Sequence, residues 1–129
     1  MGAFEGMQIA ASGLTAQRFR MDVIASNLAN ASTTRTPQGG PFRRETVVFQ
    51  ARQGPVPGVR VVGLQQDMSP FQRIYDPGNP DADKQGYVLM PNVNPVLEMT
   101  DMISASRSYE ANVTMIQAIK GMASKAIEI

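Results

Sequence analysis

The segment that most resembles a ligand site is Asp81-Ala82-Asp83-Lys84-Gln85-Gly86, with acids at the first and third places and glycine at the sixth. That spacing opens a helix–loop–helix calcium site, where oxygen ligands come from alternate residues of one tight loop. The twelfth place here is Asn92, where such a loop needs a bidentate glutamate, and Pro80 and Pro91 flank a stretch with no helix on either side. A solvated turn is therefore expected. Gly39-Gly40 lacks the pattern that surrounds a phosphate-cradling loop. Histidine and cysteine are both absent, which removes the usual general base, the commonest metal ligand, thiolate sites and disulfides. With no Ser/Lys or carboxylate pair placed to replace them, no catalytic, cofactor-binding or metal-binding residue is expected.

The remaining chemistry is charge. Arg35, Arg43, Arg44, Arg52 and Arg60 oppose only Glu45 across residues 35–60, while Asp67, Asp76, Asp81 and Asp83 oppose only Arg73 across 67–83. One reading is an ordinary solvated surface. The other is a pair of complementary faces, with Arg35, Arg43 and Arg44 meeting Asp76, Asp81 and Asp83 between subunits to set register. The formal net charge of +1 gives no nucleic-acid footprint. No apolar run approaches the roughly 20 residues that span a bilayer. Met1 to Glu5 lacks the basic and apolar regions of a secretory signal. Export, if it occurs, is expected to use no cleaved signal.

The elements that must position these residues follow from the prolines. All nine lie between Pro37 and Pro95, and both flanks read as long amphipathic helices. In the first, Met7, Leu14, Met21 and Leu28 recur every seven residues, with Ala10, Ile24 and Ala31 three places after members of that row. In the last, Met102, Ala105, Tyr109, Ile116, Ile119, Ala123 and Ala126 keep the alternation of three and four, interrupted at Asn112. This spacing puts a stripe on one helix face, the seam used in coiled coils. The first helix is expected from Ala3 to Ala31, stopped by Ser32 to Pro37. Asn94-Pro95 offers an N-cap and a first-turn proline for the second, with Glu98 as an acid near its start. Between them, Glu45–Ala51, Val59–Leu64, Phe71–Tyr75 and Tyr87–Met90 read as short strands separated by Gly/Pro turns.

The fold class expected is mainly α with a small β-containing middle. Its parts are an N-terminal helix (1–34), a Pro/Gly-rich middle (35–94) and a C-terminal helix (95–129). The two helices form an antiparallel, coiled-coil-like hairpin. Leu14, Met21, Ile24 and Leu28 are expected against Tyr109, Val113, Ile116 and Ile119, with Arg18, Arg107 and Glu110 off the seam. A two-helix hairpin has little core of its own, so the same stripes are expected to meet neighbouring subunits. Asn27 and Asn30 are the odd residues at the end of the first helix. One reading makes them a helix stop; the other has at least one of them hydrogen-bond a neighbouring subunit.

At this point the residues carry a resemblance. The run ASGLTAQRFRMDVIASNLANASTTRTPQGGPFRRETVVFQ (11–50), with its asparagine-rich SNLAN core, resembles the N-terminal signature of bacterial flagellar axial proteins. GYVLMPNVNPVLEMTDMISASRSYEANVTMIQAIKGMASKAIEI (86–129) is similar to their C-terminal signature. The pairing of TTRTPQGGPFRRE with GYVLMPNVNPVLEM resembles the proximal-rod members of that family. The resemblance implies a structural subunit of the basal-body rod, without catalysis or cofactor. Its terminal helices would line a tube around the export channel, with the middle facing outward. The partners implied are copies of itself, other rod proteins, rotor-ring and export-gate components at the rod base, and the flagellar type III export apparatus. Neither nucleic acid nor a small-molecule substrate is implied. The location implied is the periplasmic rod. The competing class is a soluble coiled-coil adaptor or secretion chaperone that forms a discrete oligomer.

Overall fold

The computed structural model describes residues 2–128. The order is α1 (Ala3–Ala29), β1 (Glu45–Arg52), β2 (Gly58–Gln66), β3 (Gln72–Tyr75), β4 (Tyr87–Met90) and α2 (Pro95–Glu128). Every expected element is present, with ends shifted by one or two residues. The α2 N-terminus forms as its sequence dictates: the Asn94 side-chain oxygen accepts from the backbone N–H of Val96 at 3.1 Å and of Leu97 at 3.4 Å. At the other boundary, Asn30 caps α1 with its amide on the Ser26 carbonyl at 2.9 Å, and its carbonyl accepts from the Thr33 hydroxyl at 3.1 Å. Its φ of −104° is ordinary, so the stop works through side-chain hydrogen bonds rather than left-handed backbone.

Strands β1 and β2 form one antiparallel hairpin, with a register shift between Val48 and Phe49. Strands β3 and β4 form a second, shorter one. α1 packs against α2 and against β1 and β2, whereas α2 packs on α1 and on neither hairpin. α1 is therefore the middle layer of three. Its buried residues divide accordingly: Ser12 meets the hairpin, and Asn27 meets both the hairpin and α2. The buried apolar residues are mostly small on the helices (Ala10, Ala16, Ala105, with Ile24 and Ile119), joined by Val88 and Val93 in the middle.

The antiparallel helix pair is present, and Ala10, Ile24, Ala105 and Ile119 of the expected stripes are buried, but on α1 the line of closest approach runs one position off the row of Met7, Leu14, Met21 and Leu28. A Cβ built on Gly6 would lie 3.1 Å from the Ile119 side chain, and one on Gly13 would lie 2.9 Å from that of Asn112. Asn27 in turn bonds Glu98. As α1 advances by seven or fourteen residues, α2 retreats by the same number, which fixes one register along the whole pair. The line of closest approach thus holds Gly6, Gly13 and Asn27. Met7, Leu14, Met21 and Leu28 lie beside it and are only half-buried, as are Met102, Tyr109, Val113 and Ile116. The expected meeting of Ile24 and Leu28 with Ile116 and Ile119 is corrected by this register. Ile24 shares a groove with Glu98 and Asp101, and that level is some 18 residues, roughly 27 Å of helix, from Ile119. Arg18, Arg107 and Glu110 are exposed, off the seam.

Candidate functional site

The most organised polar site sits where the end of α1, the start of β1, the end of β2 and the start of α2 converge. Asn27 and Glu98 are each only 1 % exposed. The Asn27 amide donates to the Glu45 carbonyl at 2.9 Å and to Glu98 Oε2 at 3.3 Å, and its carbonyl accepts from the Glu45 N–H at 3.1 Å. Both donors and the acceptor of this side chain are taken up within the chain. The other Glu98 oxygen accepts from Arg44 Nε. Arg44 also reaches Asp67 at 3.2 Å and Asp101 at 3.5 Å.

Asn92 completes the junction. Its oxygen accepts from the Arg44 N–H at 2.8 Å, and its amide donates to the carbonyls of Asp67 at 2.8 Å and Ser69 at 3.1 Å. No buried side-chain nitrogen or oxygen among the described residues lacks a partner. That is the condition under which a buried charge is tolerated. Burial draws the Arg44 pKa down, but the hydrogen bond and charge of Glu98, then of Asp67, outweigh it and leave it above its ordinary value. Asp67 is held below the usual carboxylate range chiefly by the hydroxyl and N–H of Ser69, with Arg44 adding to the effect.

A second latch lies further up α1. The Ser12 hydroxyl donates to the Ile9 carbonyl at 2.7 Å and accepts from the Val59 N–H at 3.0 Å, fastening the root of β2 to the helix. The contact requires a glycine beside it: Gly58 has φ +141°, and a Cβ there would run into the Ser12 side chain.

Within one chain, Asn27 is satisfied internally and Asn30 is a local cap. The charged loops also find partners within the chain. Arg35 meets Asp81, which also accepts from Thr34 at 2.6 Å. Arg43 stacks on Phe71, 4.2 Å from the ring centre, and donates to the Asp67 carbonyl at 3.0 Å. Arg44 belongs to the junction. Asp76 accepts from Asn79 at 3.4 Å, and Asp83 accepts from the N–H groups of Gln85 and Tyr87, both at 2.9 Å. Asp81 and Asp83 therefore face different partners across a turn closed by Gly86 at φ +86°. Among the described residues no group of three His, Cys, Asp or Glu side chains is placed to hold a metal ion.

Sequence reasoning read Glu98 only as an acid near a helix start, Asn92 only as a missing loop ligand and Asp67 only as part of an acidic run, and did not single out Ser12. One signal was available. Glu98 lies in a seven-residue row with Ala105, Asn112 and Ile119, so an acid occupies a seam position one turn inside a helix start.

Comparison with known proteins gives this architecture its class. The family described as "Flagella basal body rod protein" matches residues 7–35, and that described as "Flagellar basal body rod FlgEFG protein C-terminal" matches residues 84–129. These are the two helical ends and their approaches. At full length, the chain is 49 % identical to the flagellar basal-body rod protein FlgC of Borreliella burgdorferi, covering 100 % of this chain and 98 % of that one. It is 45 % identical to FlgC of Bacillus subtilis, covering 100 % and 99 %, and 47 % identical to FlgC of Escherichia coli O6:H1, covering 94 % and 92 %. The fold and the matched ends define a flagellar basal-body rod protein, built to assemble rather than to catalyse. Within that class the chain belongs to the FlgC family.

Proposed function

We propose that this chain is built into the proximal rod of the flagellar basal body through its terminal helices, and that the outward face of α2 makes the principal subunit contact. Its family makes it a structural subunit of the basal-body rod and not an enzyme. The observation that carries the proposed contact is the asymmetry of the layers. α1 is covered on one side by α2 and on another by the β1–β2 hairpin, whereas among the described elements α2 packs on α1 and, beyond that, is met by Arg44 at its start. Val96, Leu97, Met99, Ile103, Met115 and Met122 consequently stand 53 to 70 % exposed along one helix. An exposed apolar face of that extent is the usual mark of a protein–protein contact. The outer face of α1 is more polar, with Thr15, Arg18 and Asp22 exposed and only Phe4 and Phe19 as large exposed apolar residues. The contact is thus heterologous, and heterologous contacts that do not close generate helical filaments.

In this reading the helical ends (1–34 and 95–129) form the inner layer around the export channel, and residues 35–94 face outward. The seam flanks Met7, Leu14, Met21, Leu28, Met102, Tyr109, Val113 and Ile116 add subunit contacts. The chain leaves the cytoplasm through the flagellar type III export apparatus without a cleaved signal, reaches the periplasmic rod, and meets rotor-ring and export-gate components at the rod base.

The test is Ile103→Glu with Val96→Glu in a motile host whose own copy has been removed. Export into the medium should persist, while rod incorporation and swimming are lost. Normal basal bodies carrying both glutamates would place the contact elsewhere. Concentration-dependent sedimentation that stops at a discrete dimer would favour the adaptor class instead.

A further inference from the structure

We infer that the buried Asn27–Glu98–Arg44 cluster is a register lock: it selects one of several nearly equivalent alignments of the two terminal helices and ties that alignment to the folded middle segment. The need for such a device comes from the seam itself. Its close contacts are made by Gly6, Ala10, Gly13 and Ala105, residues too small to interlock, and both helices repeat every seven residues along it. Sliding α2 by one heptad would set Gly13 on Ala105 or on Ile119, in place of Asn112. Small or apolar residues would still meet, so packing alone distinguishes these alignments weakly.

The polar residues distinguish them sharply. In the observed register Asn27 shares its second amide hydrogen with Glu98, and Glu98 is neutralised by Arg44. After a slip in one direction Asn27 faces Pro91 and Glu98 faces Arg20; after a slip in the other, Asn27 faces Ala105. Each slip parts Glu98 from Asn27 and withdraws it from Arg44. Arg20 could answer the charge after the first slip, but neither slip restores the Asn27 bond or the tie through Arg44 to the middle segment, so Asn27 loses the partner that satisfies its second amide hydrogen. Asn112, the other polar residue on the seam, cannot perform this selection. Its amide donates to Ser108 on its own helix at 3.0 Å. A lone buried polar group that fixes alignment at some cost in stability is known from coiled coils.

The lock has a second arm. Asn27 grips both backbone groups of Glu45, and Arg44, the preceding residue, is held by Asn92 and Asp67. The alignment of α2 on α1 is therefore read out at the root of β1. Helices that pair out of register cannot engage a correctly folded middle segment, and a misfolded middle cannot close the helices. Glu98 and Asn27 act here as positioning residues, which is a role distinct from adding stability.

The native chain has no cysteine, so paired cysteines report alignment cleanly. A Cβ at Gly13 lies 3.1 Å from Asn112 Cγ, close enough for Gly13→Cys with Asn112→Cys to form a disulfide once the smaller thiol replaces the amide. Gly13→Cys with Ala105→Cys, and Gly13→Cys with Ile119→Cys, report the two slipped alignments. Each pair is oxidised in dilute purified full-length protein and its intrachain disulfide is quantified by peptide mass spectrometry.

In the otherwise native chain the 13–112 disulfide should dominate. With Asn27→Leu and Glu98→Leu added, its excess over the slipped disulfides should fall about tenfold or more, the worth of one hydrogen bond to a charged group, while helix content by circular dichroism is retained. An unchanged disulfide pattern in the leucine background would overturn the lock, as would the absence of 13–112 preference in the native background. Should the double leucine variant not fold, Glu98→Gln decides in its place. It keeps the volume and the Asn27–Glu45 bonds but removes the charge that Arg44 answers. A rise in slipped disulfides supports the lock, and an unaltered pattern sinks it.

Discussion

Replacing Asn27 with alanine should destabilise the chain by about 2.5–4 kcal/mol, several times the effect of the same change at Asn30. The figure follows from what each side chain holds. Asn27 makes two bonds to neutral backbone groups of Glu45 and one to the Glu98 carboxylate, with all partners buried or nearly so. At roughly 0.5–1.5 kcal/mol for each neutral bond and about 1.5–3 for the charged one, the direct loss is roughly 2.5–6 kcal/mol. Against this stands a groove of about 330 Å³ lined by Asn27, Glu45, Glu98, Arg20 and Ile24. Water entering that groove can hydrogen-bond part of what the asparagine leaves, which brings the expected cost to the lower half of the range. Asn30 bonds only Ser26 and Thr33, at a solvent-accessible helix end, so its loss should amount to about 0.5–1 kcal/mol. Urea unfolding followed at 222 nm measures both, and equal slopes would show that the two variants start from comparable native states. Near-equal midpoints for the two variants, or a loss at Asn27 under roughly 0.5 kcal/mol, would refute the claim that the junction is tight and satisfied internally.

Two further outcomes are expected. Gly58→Ala should cost about 1–3 kcal/mol, because φ +141° is strained for any side chain and the new methyl meets Ser12; faster amide exchange at Val59 than in the native chain is the check. Asp67, Asp81 and Asp83 have folded pKa values below their unfolded ones, through the hydrogen bonds of Ser69, of Thr34 then Arg35, and of the Tyr87 N–H respectively. Groups depressed in this sense contribute stability that is complete above the unfolded value near 4 and is lost as pH falls through the folded values. Thermal midpoints should therefore be flat from neutrality to about pH 5 and decline below about pH 4; a decline beginning near pH 6 would contradict this.

Most of the secondary structure was legible in the sequence, because its signals are local. Proline placement bounded the helices, Asn94-Pro95 started α2, and alternating apolar residues between Gly/Pro turns marked all four strands. The seam was legible only in part: Ala10, Ile24, Ala105 and Ile119 of the expected stripes are buried, but the closest line on α1 was missed. Periodicity analysis weights large apolar residues, and so selects the row of Met7, Leu14, Met21 and Leu28. Helix axes approach most closely where side chains are smallest, which favours Gly6 and Gly13, one position away. The junction was hidden for another reason. Arg44 and Glu98 are 54 residues apart, and nothing in a linear tally of charges tells an arginine that closes a core from one that lies in solvent. The arginines and aspartates read as charged faces also find partners within the chain, such as Arg44 with Glu98 and Arg35 with Asp81, that the local sequence does not reveal.

The way the β1–β2 hairpin is fastened to α1 has a mechanical consequence. It is held at Asn27 near one end and at Ser12 further up, 15 residues apart, or roughly 22 Å along the helix axis. A plate pinned at one point pivots under a sideways load, whereas a plate pinned at two resists as a lever, in proportion to the separation of the pins. A tangential force on the hairpin is resolved into opposed forces at the two pins and passes into α1 as a bending moment instead of a local swivel. α2 receives that load only through α1 and the Glu98 junction. In a turning shaft, twist applied at the hairpin would reach both helices by this route, and the first part to yield would be the weaker pin, the serine hydroxyl at Val59.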